Sequence, residues 1–394
     1  MLNTAFSPWP SYTEEEADAL RQVLLSNKVN YWTGTECVEF EKEFAAWVGV
    51  DYAIALMNGT VALDVALKAL NLGPDDEVIV TSRTFIASVS SIILAGANPV
   101  FADVDEDSQN INVETIRKVL TPRTKAILCV HLAGWPCDMD SIMALAEEHG
   151  LFVIEDCAQA HGAKYKGRSV GSIGHIGAWS FCQDKIMTTG GEGGMVTTND
   201  RNLWSSMWSF KDHGKSWDAV FKASQNSDFR WLHHNFGMNG RMLEIQALLG
   251  RLQLKKMPLW HEQRLENVRK IWNTAATLPG LRVPPIPDEI EHAAYKCYVF
   301  VNPQQLSPGW NRSRIIEFIN QQNVPCYYGS CSEVYLEKAF DNTAWRPSTR
   351  LPVAQRLGET GLMFLVHPSL TKSEIEKTCQ VLRDVMLRAT EKVI

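Results

Sequence analysis

The sequence predicts an α/β fold: a mostly parallel sheet wrapped by helices, followed by a smaller C-terminal α+β domain. Three observations carry this. Short apolar runs alternate with helical stretches through the first half, at the spacing of right-handed strand–helix–strand crossovers. After Met242 that alternation gives way to a long helical run, and beyond it strands and helices mix in a shorter segment. Finally, 394 residues exceed one ordinary core, so two domains are expected. They are read as 1–255 and 256–394, with the Pro284–Pro287 stretch as a junction.

In order, Tyr52 to Leu56 reads as a strand, followed by Asn58-Gly59-Thr60 and a helical pattern from Val61 to Leu70. Glu77 to Thr81 is the next strand, with helical spacing from Phe85 to Ala95. Pro99 to Ala102, Ala126 to Val130 and Phe152 to Ile154 repeat the theme, separated by helical Val113–Val119 and Met139–Glu148. Ala178–Cys182 and Met195–Thr198 flank a glycine-rich turn. The helical run after Met242 continues to about Ile271 and is interrupted near Pro258. Tyr298–Val301 is a strand of the second domain, with helices over Arg314–Gln321 and Lys372–Arg388. Lys211 to His234 is polar, rich in aromatics and has no usable periodicity.

A composition 45% hydrophobic and 21% charged suits a globular protein with a large interior. The formal net charge of -7 argues against nucleic acid or an anionic membrane as the main partner, while leaving room for a local basic pocket. Neither a signal peptide nor an apolar run of membrane-spanning length is found, so a cytoplasmic protein is expected. The nine cysteines form no Cys-x-x-Cys pair, which favours reduced core thiols over disulfides or a metal site.

Lys185 is the most informative residue. It lies between the apolar run Ala178–Cys182 and the turn Gly190-Gly191-Glu192-Gly193-Gly194. Upstream, Leu151-Phe152-Val153-Ile154 delivers Glu155-Asp156 at a strand end. A lysine and an aspartate so placed suit a carbonyl cofactor with a ring nitrogen, although most lysines are solvated and strand-end aspartates often cap helices. Asn58-Gly59-Thr60 is either a plain helix start or an anion site at a helix N-terminus. Phe85 suits core packing or stacking on an aromatic ligand, and Ser180 suits packing or phosphate donation. Asn58, Thr84, His131, Asp156 and Lys185 all fall at or just beyond strand ends, where ligands of such sheets gather.

The run Glu155-Asp156-Cys157-Ala158-Gln159-Ala160-His161-Gly162, followed by Ser180, Lys185 and Gly191-Glu192-Gly193-Gly194, closely resembles the DegT/DnrJ/EryC1/StrS sugar aminotransferases. Asn58-Gly59-Thr60, Thr84-Phe85, Val130-His131-Leu132, Gly237 to Met242 and Leu365 to Ser369 fall in family order over almost the whole chain. The resemblance implies a fold-type I pyridoxal-phosphate enzyme, a homodimer with active sites shared between subunits. Lys185 then matches the Schiff-base lysine, Asp156 the partner of the ring nitrogen and Gln159 the neighbour of the 3-hydroxyl. Phe85 matches the platform over the ring, and Gly59, Thr60 and Ser180 the phosphate cup. Asn239 matches an asparagine reaching the neighbouring subunit's phosphate, and Arg241 and Glu244 beside it suit structural or functional roles equally. Tyr31, His213 and Tyr328 lie in segments associated with the sugar.

The implied reaction moves the amino group of L-glutamate through pyridoxamine 5′-phosphate onto a nucleotide-linked keto-sugar. A UDP-linked 4-keto-6-deoxy hexose for a surface glycan is expected from family frequency. Lysine at 185, where the related sugar 3-dehydratases carry histidine, favours transamination. Amination at C3, other pyridoxal-phosphate chemistry and a non-catalytic regulatory protein are the alternatives; the last would want a DNA-reading module or basic face. A nicotinamide-dependent dehydrogenase lacks its Gly-x-Gly-x-x-Gly turn.

Overall fold

The computed structural model describes residues 5–221 and 231–391, so residues 222–230 of the aromatic-rich Lys211–His234 stretch lie outside it. A seven-stranded sheet runs in the order Tyr52–Leu56, Gly194–Thr198, Ile176–Ser180, Phe152–Asp156, Thr124–Val130, Glu77–Thr81, Asn98–Ala102. Gly194–Thr198 is antiparallel to both neighbours, and the remaining pairs are parallel. Val78, Ile79 and Val80 are completely buried, as expected where helices cover both faces.

The strands fall within two residues of their predicted ends, because each apolar run is bounded by residues that cannot be buried without partners. The helix predicted from Phe85 begins at Ala87 instead. Phe85 therefore precedes the helix and its ring is 69% exposed rather than packed. The run after Met242 divides into Glu244–Leu254 and Met257–Ala276. Pro258 sits in the first turn of the second helix, where a missing N–H costs no helical hydrogen bond.

A second, four-stranded antiparallel sheet orders Leu281–Arg282, Cys297–Val301, Gly361–Phe364 and Cys326–Tyr327. Its core joins Val299, Leu362 and Phe364 to Val268 and Ile271 of Met257–Ala276 and to Leu382 of Lys372–Ala389. Among the described residues, no helix is long and apolar enough to cross a membrane.

Glu155 shows how the sheet holds the site in register. Its carboxylate accepts from the amides of Gly171, Ile173 and Gly174, and from His131 Nε2 at 2.9 Å. His131 Nδ1 accepts from the amide of Cys137, which leaves the ring proton on Nε2. His131, Glu155 and Cys157 bring three metal-type donors within 4.8 Å. The partners just named already occupy the carboxylate and both imidazole nitrogens, so the cluster anchors the strand end that carries Asp156.

Candidate active site

A cavity of about 820 Å³ opens at the carboxyl ends of the parallel strands. Its walls include Gly59 and Thr60, Phe85, Asp156 and Gln159, Ser180 and Lys185. Seven residues from five chain segments thus face one space, as strand–helix alternation predicts.

One end of the cavity is the start of the helix Gly59–Lys68. Asn58 caps it, its Oδ1 accepting from the amide of Val61 at 2.8 Å. The first-turn amides of a helix have no intrahelical acceptor and carry the positive end of its dipole. Gly59 is required because a Cβ there would lie 2.5 Å from that of Ser180. Gly194 is required for the same reason, since its Cβ would fall 2.2 Å from the carbonyl oxygen of Asn58. The helix start is pressed onto the strand that carries Ser180, and this builds a cradle.

On another wall stands Asp156, which is only 5% exposed. Its Oδ2 accepts from Ser88 Oγ at 2.9 Å and its Oδ1 from the amide of Ala158 at 3.1 Å. Ser88 in turn lies 2.9 Å from Thr84 Oγ1. Burial raises the pKa of Asp156, opposed by these hydrogen bonds and by Lys185. Gln159 is held by its Oε1, which accepts from the amide of Ala133 at 2.8 Å.

Lys185 is fixed through its backbone. Its amide donates to the carbonyl of Cys182 at 3.0 Å, and its carbonyl accepts from the indole of Trp9 at 2.8 Å. Its Nζ lies 3.4 Å from Asp184 Oδ1 and 5.4 Å from the centroid of the Tyr295 ring.

The family model described as the DegT/DnrJ/EryC1/StrS aminotransferase family matches residues 10–383. The chain belongs to this family. The solved aminotransferase from Psychrobacter cryohalolentis is 62% identical with a TM-score of 0.96, over 98% of this chain and 99% of that one. The GDP-perosamine synthase of Caulobacter vibrioides is 35% identical over 90% of this chain and 91% of its own length. The UDP-N-acetyl-3-dehydro-alpha-D-glucosamine 3-aminotransferase of Acidithiobacillus ferrooxidans is also 35% identical, over 89% and 88%.

DegT/DnrJ/EryC1/StrS aminotransferases depend on pyridoxal 5′-phosphate, and the residues of this chain fit that group. The cradle at Gly59 and Ser180 suits a phosphate, the buried carboxylate of Asp156 suits a cationic ring nitrogen, and the exposed face of Phe85 suits an aromatic ring.

The three residues expected to meet the sugar, Tyr31, His213 and Tyr328, do not line the cavity of their own chain. Tyr31 is 5% exposed; its hydroxyl donates to Glu41 Oε2 at 3.3 Å, and Lys211 Nζ stands 3.5 Å from its ring centroid. A ring so covered has no face for a sugar. Tyr328 turns out of the cavity under the guanidinium of Arg312, 4.3 Å from its ring centroid, and Tyr327 lines the cavity instead. The register of a two-residue strand, Cys326–Tyr327, sets this exchange, and composition does not reveal it. His213 is exposed with a φ of 58°, outside the cavity wall, its amide donating to Met238 at 2.9 Å.

Asn239 is exposed and pairs through a β-bridge with Asp212, so it too lies outside the cavity of its own chain. Arg241 Nη1 donates to Asp212 at 2.9 Å, and Glu244 accepts from the amides of Glu36 and Cys37 at the start of the helix Glu36–Val48. Both make these contacts within their own subunit. His161, read as part of a polar cluster, packs instead between Trp179 and Phe181, with no partner for either nitrogen among the described residues.

Ser88, Tyr295, Lys296 and Tyr327 line the cavity and were not singled out by motif. Ser88 lies four residues after Thr84, and Tyr295-Lys296 immediately precedes the strand Cys297–Val301. Only these weak positional signals point to them.

Proposed function

We propose that this aminotransferase transfers the amino group of L-glutamate to a nucleotide-linked keto-sugar, for a surface glycan. The observation that carries the reading is one cavity walled by Lys185, Asp156 and the Gly59–Ser180 cradle. When bound, pyridoxal phosphate supplies an electron sink that lets a proton leave the carbon bearing nitrogen. Asp156 supplies the negative charge that holds the ring nitrogen protonated. Lys185 holds the cofactor between turnovers, and its free amine then takes and returns the substrate proton. Gln159 would hold the ring at its 3-hydroxyl, Phe85 would cover its face, and Gly59, Thr60 and Ser180 would hold the phosphate.

Relatives named for GDP-linked and UDP-linked sugars support the nucleotide-sugar class. We favour a UDP-linked 4-keto-6-deoxy acceptor; the UDP-linked relative named as a 3-aminotransferase makes a 3-keto sugar the second candidate. The test is the visible absorption of the holoenzyme with L-glutamate, then with UDP-, GDP- and dTDP-linked 3- and 4-keto sugars. Loss of the yellow band with glutamate and its return with one sugar identifies the acceptor. A band indifferent to glutamate removes the donor assignment.

We further propose a homodimer in which Asn239 reaches the partner's cofactor phosphate; its exposure outside its own cavity supports this. Mixed dimers carrying Asn239→Ala in one subunit and Lys185→Ala in the other test it. Under cross-subunit binding, the single site with an intact Lys185 receives its Asn239 from the Lys185→Ala subunit. About half of wild-type activity per dimer is therefore expected. Placing both substitutions in one subunit should weaken the remaining site. Equal activity from the two arrangements would sink the assignment.

A further inference from the structure

Beside the reaction cavity lies a second, smaller chamber of about 300 Å³, sharing with it the walls Asp184, Tyr295, Lys296 and Tyr327. Arg264 lines this chamber and is only 1% exposed. Its Nη1 donates at 3.4 Å to the carbonyls of Ala294 and Tyr295, and its guanidinium lies 5.0 Å from the Trp9 ring centroid. Its Nε and Nη2 have no hydrogen-bond partner among the described residues. Lys296 reaches the same space, so two cations border the chamber and Asp184 is the carboxylate on its wall. The Asp184 carboxylate is already engaged, accepting from the Tyr295 hydroxyl and lying 3.4 Å from Lys185 Nζ.

A buried guanidinium with two unanswered donor groups and no paired carboxylate is costly unless an anion completes it. Burial depresses the pKa of Arg264 to about 9 and that of Lys296 to about 8, so both cations are desolvated without adequate compensation. The fork of a guanidinium matches a carboxylate in particular. A chamber this size takes a short dicarboxylate chain and excludes a nucleotide sugar. Trp9 forms part of its wall and also binds the Lys185 carbonyl, which ties this wall to the reacting lysine.

We propose that Arg264 and Lys296 form the subsite that receives a carboxylate of the amino donor. This rests on the aminotransfer reading and names the residues that select a small amino dicarboxylic acid within it. The test is calorimetric titration of the holoenzyme with glutarate, which carries two carboxylates and no amine and so binds without reacting. In the holoenzyme the cofactor phosphate already fills the helix-start cradle, so glutarate reports the second site.

Wild type is expected to bind glutarate, and Arg264→Met to weaken that affinity about tenfold or more, with partial recovery in Arg264→Lys. The same variants should raise the glutamate concentration needed to bleach the visible band, leaving the KM for the keto-sugar unchanged. If Arg264→Met does not fold, Lys296→Met takes its place, with a loss of about threefold or more expected. Unchanged glutarate affinity in a folded variant, or none in wild type, overturns the proposal. If glutarate binds as expected while no keto-sugar restores the band, the acceptor assignment has failed and the subsite stands.

Discussion

Lys185→Ala is expected to lower amino transfer by at least about 10³-fold, since on the proposed mechanism it removes both the covalent anchor and the proton carrier. The variant should fold, because what the structure fixes at this position is backbone: the amide bound to Cys182 and the carbonyl bound to Trp9. The side chain adds a 3.4 Å approach to Asp184 and a 5.4 Å approach to the Tyr295 ring centroid in a partly open cavity. Two readouts separate loss of chemistry from loss of structure. Borohydride treatment should add the cofactor's mass to wild type and not to the variant. Dialysis should remove cofactor from the variant more readily, its remaining hold being the non-covalent contacts proposed for the phosphate cradle, Asp156, Gln159 and Phe85. Lys185→Arg is expected to be as inactive, because a guanidinium keeps the charge without a nucleophilic amine. Turnover within about tenfold of wild type in either variant would falsify the role given to Lys185.

What the sequence revealed, and what it hid, follows from how each residue reaches the cavity. Asp156 falls just beyond an apolar run, and in a parallel sheet every strand end of one sense faces the same side, so periodicity placed it among the site residues. Ser180 lies inside the predicted run Ala178–Cys182, and only the observed strand, Ile176–Ser180, brings it to that edge. Gly59 was visible as a helix start, but its need for glycine comes from Ser180, 121 residues later, and only the folded chain shows the approach. Tyr31 and Tyr328 lie outside the cavity of their own chain for the opposite reason. Each lies in a segment of the right neighbourhood, and its direction is set by contacts no local pattern records: Lys211 over one ring and Arg312 over the other. Arg264 was hidden most completely. On the helix Met257–Ala276 it reads as one more charge, and its burial among Trp9, Ala294 and Tyr295 joins three distant segments.

Asp156→Asn is expected to lower kcat by about 10²–10⁴-fold while leaving the fold intact. The amide can be accommodated where the carboxylate stood. Its oxygen can keep the hydrogen bond from Ala158, its NH₂ can donate to Ser88 Oγ, and the Ser88 hydroxyl can turn to Thr84 Oγ1. What is lost is the negative charge, and an amide cannot hold a proton on a ring nitrogen against a neutral environment. The pH dependence of the bound cofactor's absorption should therefore shift, which a purely structural residue would not produce. Stability supplies an independent check. Burial raises the pKa of Asp156 in the folded chain, so the folded state holds its proton more tightly than the unfolded one. As pH rises from the unfolded pKa through the folded value, that group costs stability, and above both the cost is complete. Removing the charge in the cofactor-free protein at neutral pH should therefore leave Tm no lower than wild type. With pyridoxal phosphate bound the order should reverse, because only the carboxylate is neutralised by the ring nitrogen. Ser88→Ala, which removes the hydrogen bonds to Asp156 and Thr84, each worth about 1 kcal/mol, and keeps the charge, should cost only a few-fold in kcat. A Ser88→Ala loss as large as that of Asp156→Asn would mean that geometry, rather than charge, is what this wall of the cavity supplies.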